Sequence, residues 1–291
     1  MVNTSLDGKI ALITGGGRGL GREMALAFAE AGAAGVAITA APGSDETSDA
    51  IQSELNDTLA EIGATSCMGL AVLGDVSVAD DCKRVVAETV DAFGALHILV
   101  NNAGKAGRYA HGGDGSMPIH AADPEGFRAV IDTNLLGPYL MAWAAATHLE
   151  EAGWGRIINI SKRTPSMHRK AITPYGPTKA AMEAATIAWA EAVFGTGITV
   201  NSLSPGGAIN TKFGSGAIPG RGAEPSVIRE MAVWLASPAS DGVTGCRYAA
   251  DRWNNALPPN EAAERCRERA IFPLPDYDTP LDRAWAEPQL S

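Results

Sequence analysis

Ile10-Ala-Leu-Ile-Thr14-Gly-Gly-Gly-Arg-Gly19-Leu-Gly21 is the stretch of sequence that decides the fold. Its apolar, β-branched start predicts a buried strand from Ile10 to Thr14, and glycines follow that strand at once. A helical pattern begins inside the glycine segment and runs to about residue 32. Glycines between a first strand and a first helix let the backbone approach a pyrophosphate at the positive end of that helix. The segment therefore predicts a dinucleotide site, against the alternative of a flexible turn without a ligand.

The same alternation of short apolar runs and longer helical patterns continues to about residue 250. Further strands are predicted at Val36–Thr39, Gly69–Leu73, Ile98–Asn101, Arg156–Ile160, Thr199–Ser204 and near Tyr248. Helices are predicted over roughly residues 19–32, 44–62, 78–93, 124–148, 174–195 and 225–236. This order is typical of the α/β class. We expect residues 1–250 to form one doubly wound parallel sheet of about seven strands, a Rossmann fold, with helices on both faces.

Residues 251–291 are predicted to be a proline-rich C-terminal extension. Its prolines preclude a continuous helix, although a short one is possible over Asn260–Ala270. Its large aromatic residues are Trp253, Phe272, Tyr277 and Trp285. Such side chains predict that the extension packs on the domain or on a partner subunit.

Composition excludes several classes of protein. The net charge of -10 argues against nucleic acid as a partner, because a phosphate backbone requires a concentrated basic face. No apolar stretch reaches the length of a membrane helix, and no export signal is evident at the start, so a cytoplasmic location and no membrane partner are expected. The four cysteines are widely spaced, without histidines at ligand spacing, and we expect no metal site.

The choice of nucleotide is decided where the second strand ends, because an acid there binds the ribose 2′-hydroxyl and repels a 2′-phosphate. Thr39-Ala-Ala-Pro42 supplies no acid at that point, and Arg18 in the glycine turn is placed to meet a phosphate. NADP(H) is therefore favoured over NAD(H). NAD(H) is not excluded, because Arg18 can be an ordinary surface residue and Asp45 or Glu46 can curl back.

Five motifs occur in the order that characterises one enzyme family. They are Thr14 to Gly21, Asn101-Asn-Ala-Gly104, Asn134, Tyr175-Gly-Pro-Thr-Lys179 and Pro205-Gly206. Over roughly residues 6 to 250 the chain resembles the short-chain dehydrogenase/reductase family, of the single-domain type. The resemblance implies an NAD(P)-dependent oxidoreductase with a small-molecule substrate.

The resemblance also implies which residues bind the cofactor. In the glycine turn they are Gly15, Arg18, Gly19, Leu20 and Gly21. Asp75 and Val76 would meet the adenine, and Asn102, Ala103 and Gly104 would lie along the cofactor. Pro205, Gly206, Ile209 and Thr211 would lie at the nicotinamide, although this segment is one residue longer than the commonest pattern. Tyr175 and Lys179 complete the set.

Tyr175 and Lys179 are one helical turn apart, so their side chains share a face of one helix. A lysine cation beside a phenol is expected to lower its pKa, which would make Tyr175 a usable acid or base. The alternative is an amphipathic helix with an incidental pair. Asn134 matches the family's asparagine, which holds a water near the lysine, but it can also be a satisfied polar position in a helix.

The family's usual serine, thirteen positions before the tyrosine, is replaced by Lys162. Three interpretations are open: Ser161 turns into the site, Lys162 donates to the substrate oxygen, or the chain binds cofactor without turnover. Neighbouring side chains of a strand point to opposite faces, so the first needs a bulged or turned strand end. A lysine there would stabilise an oxyanion but would also repel Lys179.

Positive charge near the predicted substrate entrance suggests an anionic substrate. The residues are Lys162, Arg163, His168, Arg169 and Lys170. A solvated basic face, or salt bridges to acids of the extension, explains them equally well. The predicted function is hydride transfer between NADP(H) and a secondary alcohol or ketone; the alternative is a cofactor-binding scaffold or sensor. The family resemblance implies a homodimer or homotetramer that pairs through Phe127–His148 and Tyr175–Phe194.

Overall fold

One sheet organises the residues that the computed structural model describes, which are 2–44, 46–111, 119–168, 172–211, 213, 222–269 and 271. Its strands are β1 (Ile10–Thr14), β2 (Gly35–Ala40), β3 (Met68–Leu73), β4 (Ile98–Asn101), β5 (Gly155–Ile160), β6 (Ile198–Ser204), β7 (Arg247–Ala249) and β8 (Arg267–Glu268). Six of them, β1, β2 and β4 to β7, are almost wholly buried, as apolar runs covered on both faces should be.

The strand order is β3-β2-β1-β4-β5-β6-β7-β8. All neighbours are parallel except β7 and β8, which pair antiparallel. The order reverses between β1 and β4, and in doubly wound sheets ligands bind at the carboxyl ends of the strands beside such a reversal. The fold thus directs attention to the ends of β1, β4 and β5.

Helices cover both faces of the sheet. They are α1 (Gly19–Glu30), α2 (Ser48–Ile62), α3 (Ala79–Phe93), α4 (Arg108–His111), α5 (Pro124–Ile131), α6 (Gly137–Glu151), α7 (Tyr175–Ala192), α8 (Arg229–Ala236) and α9 (Pro259–Cys266). Side chains of α1, α2, α8 and α9 form one apolar core with the sheet. Those of α3, α6 and α7 form a second core on the opposite face. Within the described ranges, no helix has the length and apolar character needed to cross a bilayer.

The doubly wound α/β prediction is confirmed, and each predicted strand lies within two residues of an observed one. One strand was missed. β8 has only two residues, both charged, so neither apolar alternation nor length announces it in the sequence. It belongs to the C-terminal extension, which therefore adds Arg267 and Glu268 to the edge of the sheet. Phe272, Tyr277 and Trp285 lie outside the described residues.

Candidate active site

The glycine turn forms a tight cradle between β1 and α1. Gly15 has a φ of +67°, and its amide donates to the carbonyl of Thr39 at 2.7 Å. A Cβ on Gly21 would lie 2.1 Å from the carbonyl oxygen of Gly15. Helix α1 can therefore start directly against the turn only if residue 21 has no side chain. Since no side chain caps the first amides of α1, they are available to an anion.

The end of β4 is fastened to this cradle by Thr14 and Asn102. The Thr14 hydroxyl accepts hydrogen bonds from the amides of Asn102 and Ala103, both at 3.0 Å. The Asn102 side-chain amide donates to the carbonyls of Thr14 and Gly15 at 2.8 and 3.1 Å. Gly104 follows, and a Cβ there would meet Asn134 Oδ1 at 3.3 Å. The structure thus brings these predicted cofactor residues to the same edge as the glycine turn.

Arg18, also in the turn, is exposed and bonded to an acid of α2. Its guanidinium lies 3.4 Å from Glu54 Oε2, and 57% of the side chain is accessible. The end of β2 presents Ala40, and no acid occupies the described positions that follow it up to Ser44. Asp45, which was considered as an alternative nucleotide contact, lies outside the described residues.

Asp75 and Val76 follow β3 at the same edge of the sheet. The Asp75 carboxylate accepts from the Ser77 amide at 2.9 Å and from its hydroxyl at 2.6 Å. Val76 is buried, and a Cβ on Gly137 would lie 2.8 Å from its Cγ2. The carboxylate is thereby occupied within its own turn, and the amide of Asp75 donates to Asp81 Oδ2 at 2.9 Å.

The segment after β6 lies against the glycine turn. Gly206 has a φ of +98°, and a Cβ there would collide with the Asp251 carboxylate. The amide of Thr211 donates to the carbonyl of Ile209 at 2.9 Å. A Cβ on Gly19 would lie 3.2 Å from Thr211 Cγ2, so Thr211 and the cradle are neighbours. Of residues 212–224, which follow Thr211, only 213 and 222–224 are described.

Tyr175 and Lys179 lie at the start of α7, as their spacing predicts. The Lys179 ammonium donates to the carbonyl of Ile160, the last residue of β5, at 2.7 Å. It lies 6.0 Å from the centroid of the Tyr175 ring. The ring of Phe213 packs against that of Tyr175, with centroids 5.5 Å apart. The helix is thereby anchored so that its first turn faces the carboxyl edge of the sheet.

The predicted lowering of the phenol pKa by Lys179 is not what the structure gives. Desolvation raises the pKa of Tyr175 to about 12, so the phenol is neutral at pH 7. Burial lowers the pKa of Lys179 to about 8; the charge of Glu183 opposes that change and the charge of Lys162 adds to it. Burial outweighs the cation because the ammonium is directed to a carbonyl, not to the phenol.

Asn134 lies in a π-helical turn, Asp132–Leu136, that separates α5 from α6. Its side chain is fully buried, and its Oδ1 accepts from the amide of Lys105 at 2.7 Å. Its Nδ2 donates to the carbonyl of Lys105 at 2.9 Å and to Thr178 Oγ1 at 3.3 Å. Asn134 therefore fixes the chain after Gly104 against α7. The widened turn, common at functional sites, is what directs this side chain inward.

Ser161 is not brought to Tyr175. Its hydroxyl donates to the Glu183 carboxylate, and Arg247 Nη1 lies 3.5 Å from its oxygen. The strand end is neither bulged nor reversed, so Ser161 points away from its neighbour Lys162. The structure therefore contradicts the option that Ser161 turns into the site.

Lys162 does occupy the position of the usual serine. Its ammonium lies 4.9 Å from the centroid of the Tyr175 ring, while its carbonyl accepts from Arg247 Nη2 at 2.5 Å. The side chain is half-buried. A cation therefore stands beside the phenol, where it is able to interact with an oxygen bound there.

Two residues of this site were missed from the sequence. Glu183, one turn beyond Lys179, and Arg247, on β7, form a buried ion pair behind Lys162. The spacing from Lys179 to Glu183 was a usable signal. No sequence signal pointed to Arg247, because a cation in a short strand near the end of the domain resembles a solvent-facing residue.

An apolar pocket of about 450 Å³ lies beside α7. Its lining includes Met167, Ile172, Pro177 and Ala180. Pro177 projects from the side of the helix opposite to Tyr175 and Lys179, and Ala180 projects about a quarter-turn from Lys179. We therefore do not assign this pocket to the catalytic centre.

Comparisons with known proteins agree on one family. A family model described as short chain dehydrogenase matches residues 9–217. The short chain dehydrogenase/reductase astE of Aspergillus oryzae is 33% identical over 85% of this chain and 95% of its own length.

Two similar solved structures contain a nicotinamide dinucleotide. A 3-ketoacyl-(acyl-carrier-protein) reductase from Brucella melitensis, complexed with NADH, is 30% identical with a TM-score of 0.72, covering 84% of this chain and 96% of its own. A blue fluorescent protein from a metagenomic library, in complex with NADPH, is 26% identical with a TM-score of 0.73, covering 85% and 98%. Both cofactor types therefore occur among relatives of this fold.

The pKa of Lys179 predicts an alkaline limit to turnover. Below about pH 8 its ammonium is charged and can stabilise the phenolate left when Tyr175 gives up a proton; above that pH the charge is lost. We expect kcat/KM for carbonyl reduction to fall about tenfold per pH unit above that value. Initial rates across a pH series will measure this, and a rate that is flat or rising to about pH 9.5 would contradict it.

Proposed function

The chain belongs to the short-chain dehydrogenase/reductase family, and we propose that it interconverts a ketone and a secondary alcohol with NADP(H) as the redox partner. The observation that carries the proposal is the shared edge of the sheet. The glycine cradle, Asn102, Tyr175 and Lys179 all lie at carboxyl ends of neighbouring strands or on the helix attached there. A dinucleotide fits the cradle because the glycines of the cradle leave room for a pyrophosphate at the first amides of α1. When bound, it supplies a hydride donor or acceptor.

Tyr175 is the proposed proton donor in the reductive direction. Its phenol is neutral at pH 7 and can give its proton to the alkoxide oxygen as the carbonyl carbon is reduced. The Lys179 ammonium then stabilises the phenolate, and its bond to the Ile160 carbonyl holds it in place. In the oxidative direction the same groups remove the proton from the alcohol.

Lys162 is the proposed replacement for the serine. Its cation lies over the Tyr175 ring, so a substrate oxygen bound beside the phenol can accept a charge-assisted hydrogen bond from it. The commitment of Ser161 to Glu183 leaves Lys162 as the group at this slot. Asn134 acts here by holding the Lys105 backbone against α7.

NADP(H) is the proposed cofactor on the basis of charge. Arg18 is exposed at the cradle, and the described end of β2 lacks an acid that would repel a 2′-phosphate. Glu54 competes for Arg18, and a bound phosphate would replace that exposed contact, which contributes little stability.

An anionic substrate is proposed on the basis of Lys162. Its neighbour Arg163 is 3.8 Å from Asp251, and Lys162 lies over the ring of the proposed proton donor. A carboxylate or phosphate near the reacting carbonyl would complement this cation. Arg169 and Lys170 of the predicted basic cluster lie outside the described residues.

A second candidate function is cofactor binding without turnover. The replacement of the usual serine by Lys162 favours this candidate, because a charge then stands where the family has a hydroxyl. Burial lowers the pKa of Lys179, and the charge of Lys162 lowers it further. Hydride transfer to any carbonyl compound by the wild-type protein decides between the two candidates.

The proposed assembly is a homodimer or homotetramer. Leu136, Tyr139 and Trp143 form an apolar stripe at helical spacing along the π turn and α6, with exposures of 40, 50 and 48%. Such a stripe is typical of a subunit interface. Met141 and Ile187, on the two helices expected to pair, are buried within the subunit and do not contribute to such a stripe. A cytoplasmic location is part of this proposal, and the four free cysteines fit a reducing compartment.

The role of Tyr175 is tested by Tyr175→Phe. Loss of the hydroxyl removes the proton donor, so kcat should fall at least about a hundredfold, while NADPH binding measured by fluorescence is retained. Tyr109→Phe, at an exposed tyrosine of α4, is the matched control and should keep wild-type kcat. Undiminished turnover by the Tyr175 variant would refute the assignment.

Cofactor choice is tested by comparing kcat/KM for NADPH and NADH. We expect NADPH to be preferred, and Arg18→Ala to lose about tenfold or more with NADPH and little with NADH, because only NADPH carries the 2′-phosphate. Arg265→Ala, which removes an exposed arginine of α9, is the control. Equal efficiency of the wild type with both cofactors would contradict the proposal.

The substrate class is tested with pairs of ketones that differ only in a carboxylate or its methyl ester. We expect the anionic member to have the higher kcat/KM, and Lys162→Met to reduce that preference at least about fivefold. Lys83→Met, at an exposed lysine of α3, serves as the control. A preference of the wild type for the neutral esters would count against an anionic substrate.

A further inference from the structure

Arg247 is a fully buried cation with no place in the proposed reaction. Its side chain is 2% exposed, and its guanidinium contacts three elements of the fold. Nη1 pairs with the Glu183 carboxylate of α7, and Nε donates to Glu268 Oε2 of β8 at 2.8 Å. Nη2 donates to the carbonyl of Lys162 at 2.5 Å. Only a guanidinium has enough donors, in a fixed planar arrangement, to serve all three partners at once.

Glu183 is the matching buried anion. One carboxylate oxygen binds Arg247 and the hydroxyl of Ser161, and the other accepts from the hydroxyl of Ser202 at 2.8 Å. It lies one helical turn after Lys179 on α7. The carboxylate therefore connects the helix that bears Tyr175 to the ends of β5 and β6.

Together these residues hold three consecutive positions at the end of β5. The Ile160 carbonyl accepts from Lys179, the Ser161 hydroxyl donates to Glu183, and the Lys162 carbonyl accepts from Arg247. With each of the three tied down, alternation of the chain directs the Lys162 side chain to the face of Tyr175. The polar contacts made by Glu183 and Arg247 on one side of the strand thus determine that the Lys162 side chain lies on the other side, with Tyr175.

The charges around Lys179 come from several elements. Its own helix provides the charge of Glu183 and the neutral phenol of Tyr175, the end of β5 provides the charge of Lys162, and β7 provides Arg247 through its pair with Glu183. Glu268 of β8 also pairs with the exposed Arg252, at 2.8 Å. Two carboxylates, Glu183 and Glu268, thus oppose the two buried cations Lys179 and Arg247. Removing either acid leaves buried positive charge in excess.

We propose that Arg247 and Glu183 are positioning residues for Lys162 and Lys179, and that Glu268 makes the C-terminal strand a required part of the active site. The inference rests on the proposed function for the roles of Lys162 and Lys179. β8, which is remote from the cofactor cradle, supplies the second counterion of Arg247. Without that counterion Arg247 turns away from the Lys162 carbonyl and releases the end of β5.

Glu268→Gln tests the link to the C-terminal strand. We expect kcat to fall about tenfold and hydrogen–deuterium exchange at residues 160–163 to become faster, because the Lys162 carbonyl loses its fixed donor. Glu261→Gln removes an exposed acid in the first turn of α9 and should change neither quantity. Exchange in Glu268→Gln that equals the wild type would overturn the proposal, and this readout does not depend on turnover.

Glu183→Gln tests the electrostatic link to Lys179. Because the anion favours the charged form of Lys179, its loss should move the alkaline limb of the kcat profile about one pH unit lower. An unchanged limb would overturn the proposal. A wild-type protein that reduces no carbonyl compound would instead refute the proposed function, while the exchange measurement still decides the positioning of residues 160–163.

The double variant Glu183→Gln with Arg247→Met separates positioning from stability. Removing both charges leaves neither member of the ion pair without its partner, and the buried Lys179, whose pKa burial already lowers to about 8, can lose its proton, so the Tm of the double variant should exceed that of Arg247→Met alone. Its kcat should remain as low as that of the single variant, because nothing holds the Lys162 carbonyl. Recovery of wild-type kcat together with Tm would show that the pair stabilises the fold and does not position the site.

Discussion

The hydrogen bond from the Lys179 ammonium to the Ile160 carbonyl is the constraint on which the site depends. This hydrogen bond joins the start of α7 to the last residue of β5, and the junction fixes the position of Tyr175. The lysine is buried, so its cation is costly and must be compensated by partners. The Glu183 carboxylate offsets the charge of the ammonium, and the Ile160 carbonyl fixes the orientation of the ammonium. The phenol, desolvated beside it, remains a neutral acid at pH 7.

Parallel strand topology explains why the parts of this site meet. The carboxyl ends of β1, β4, β5 and β6 lie along one edge, and the reversal of strand order beside β1 opens a crevice there. Hydrogen bonds between Thr14 and Asn102 join the ends of β1 and β4. Thr211, which follows β6, lies against the glycine turn. The chain departs from its family mainly at Lys162, where a cation stands in place of a hydroxyl, and it supports that cation from behind with Arg247.

Local periodicity accounts for what could be predicted from the sequence. The glycine turn and the pairing of Tyr175 with Lys179 on one face follow from spacing alone, and strand alternation already disfavoured Ser161. The rest required contacts between distant segments: Arg247 finds Glu183 across 64 positions, and β8 has two charged residues with no apolar pattern. The pKa of Tyr175 was misjudged because spacing reports which residues are neighbours, whereas desolvation depends on everything that surrounds them.

The proposed reaction requires the cradle and Tyr175 to bind one dinucleotide, and a crystal structure with NADP⁺ would show whether they do. We expect the pyrophosphate at the amides of residues 19–21 and the nicotinamide ring beside the Tyr175 hydroxyl and Lys179, with the 2′-phosphate near Arg18. A dinucleotide whose nicotinamide end lies away from α7, or a cradle left empty at saturating NADP⁺, would contradict it.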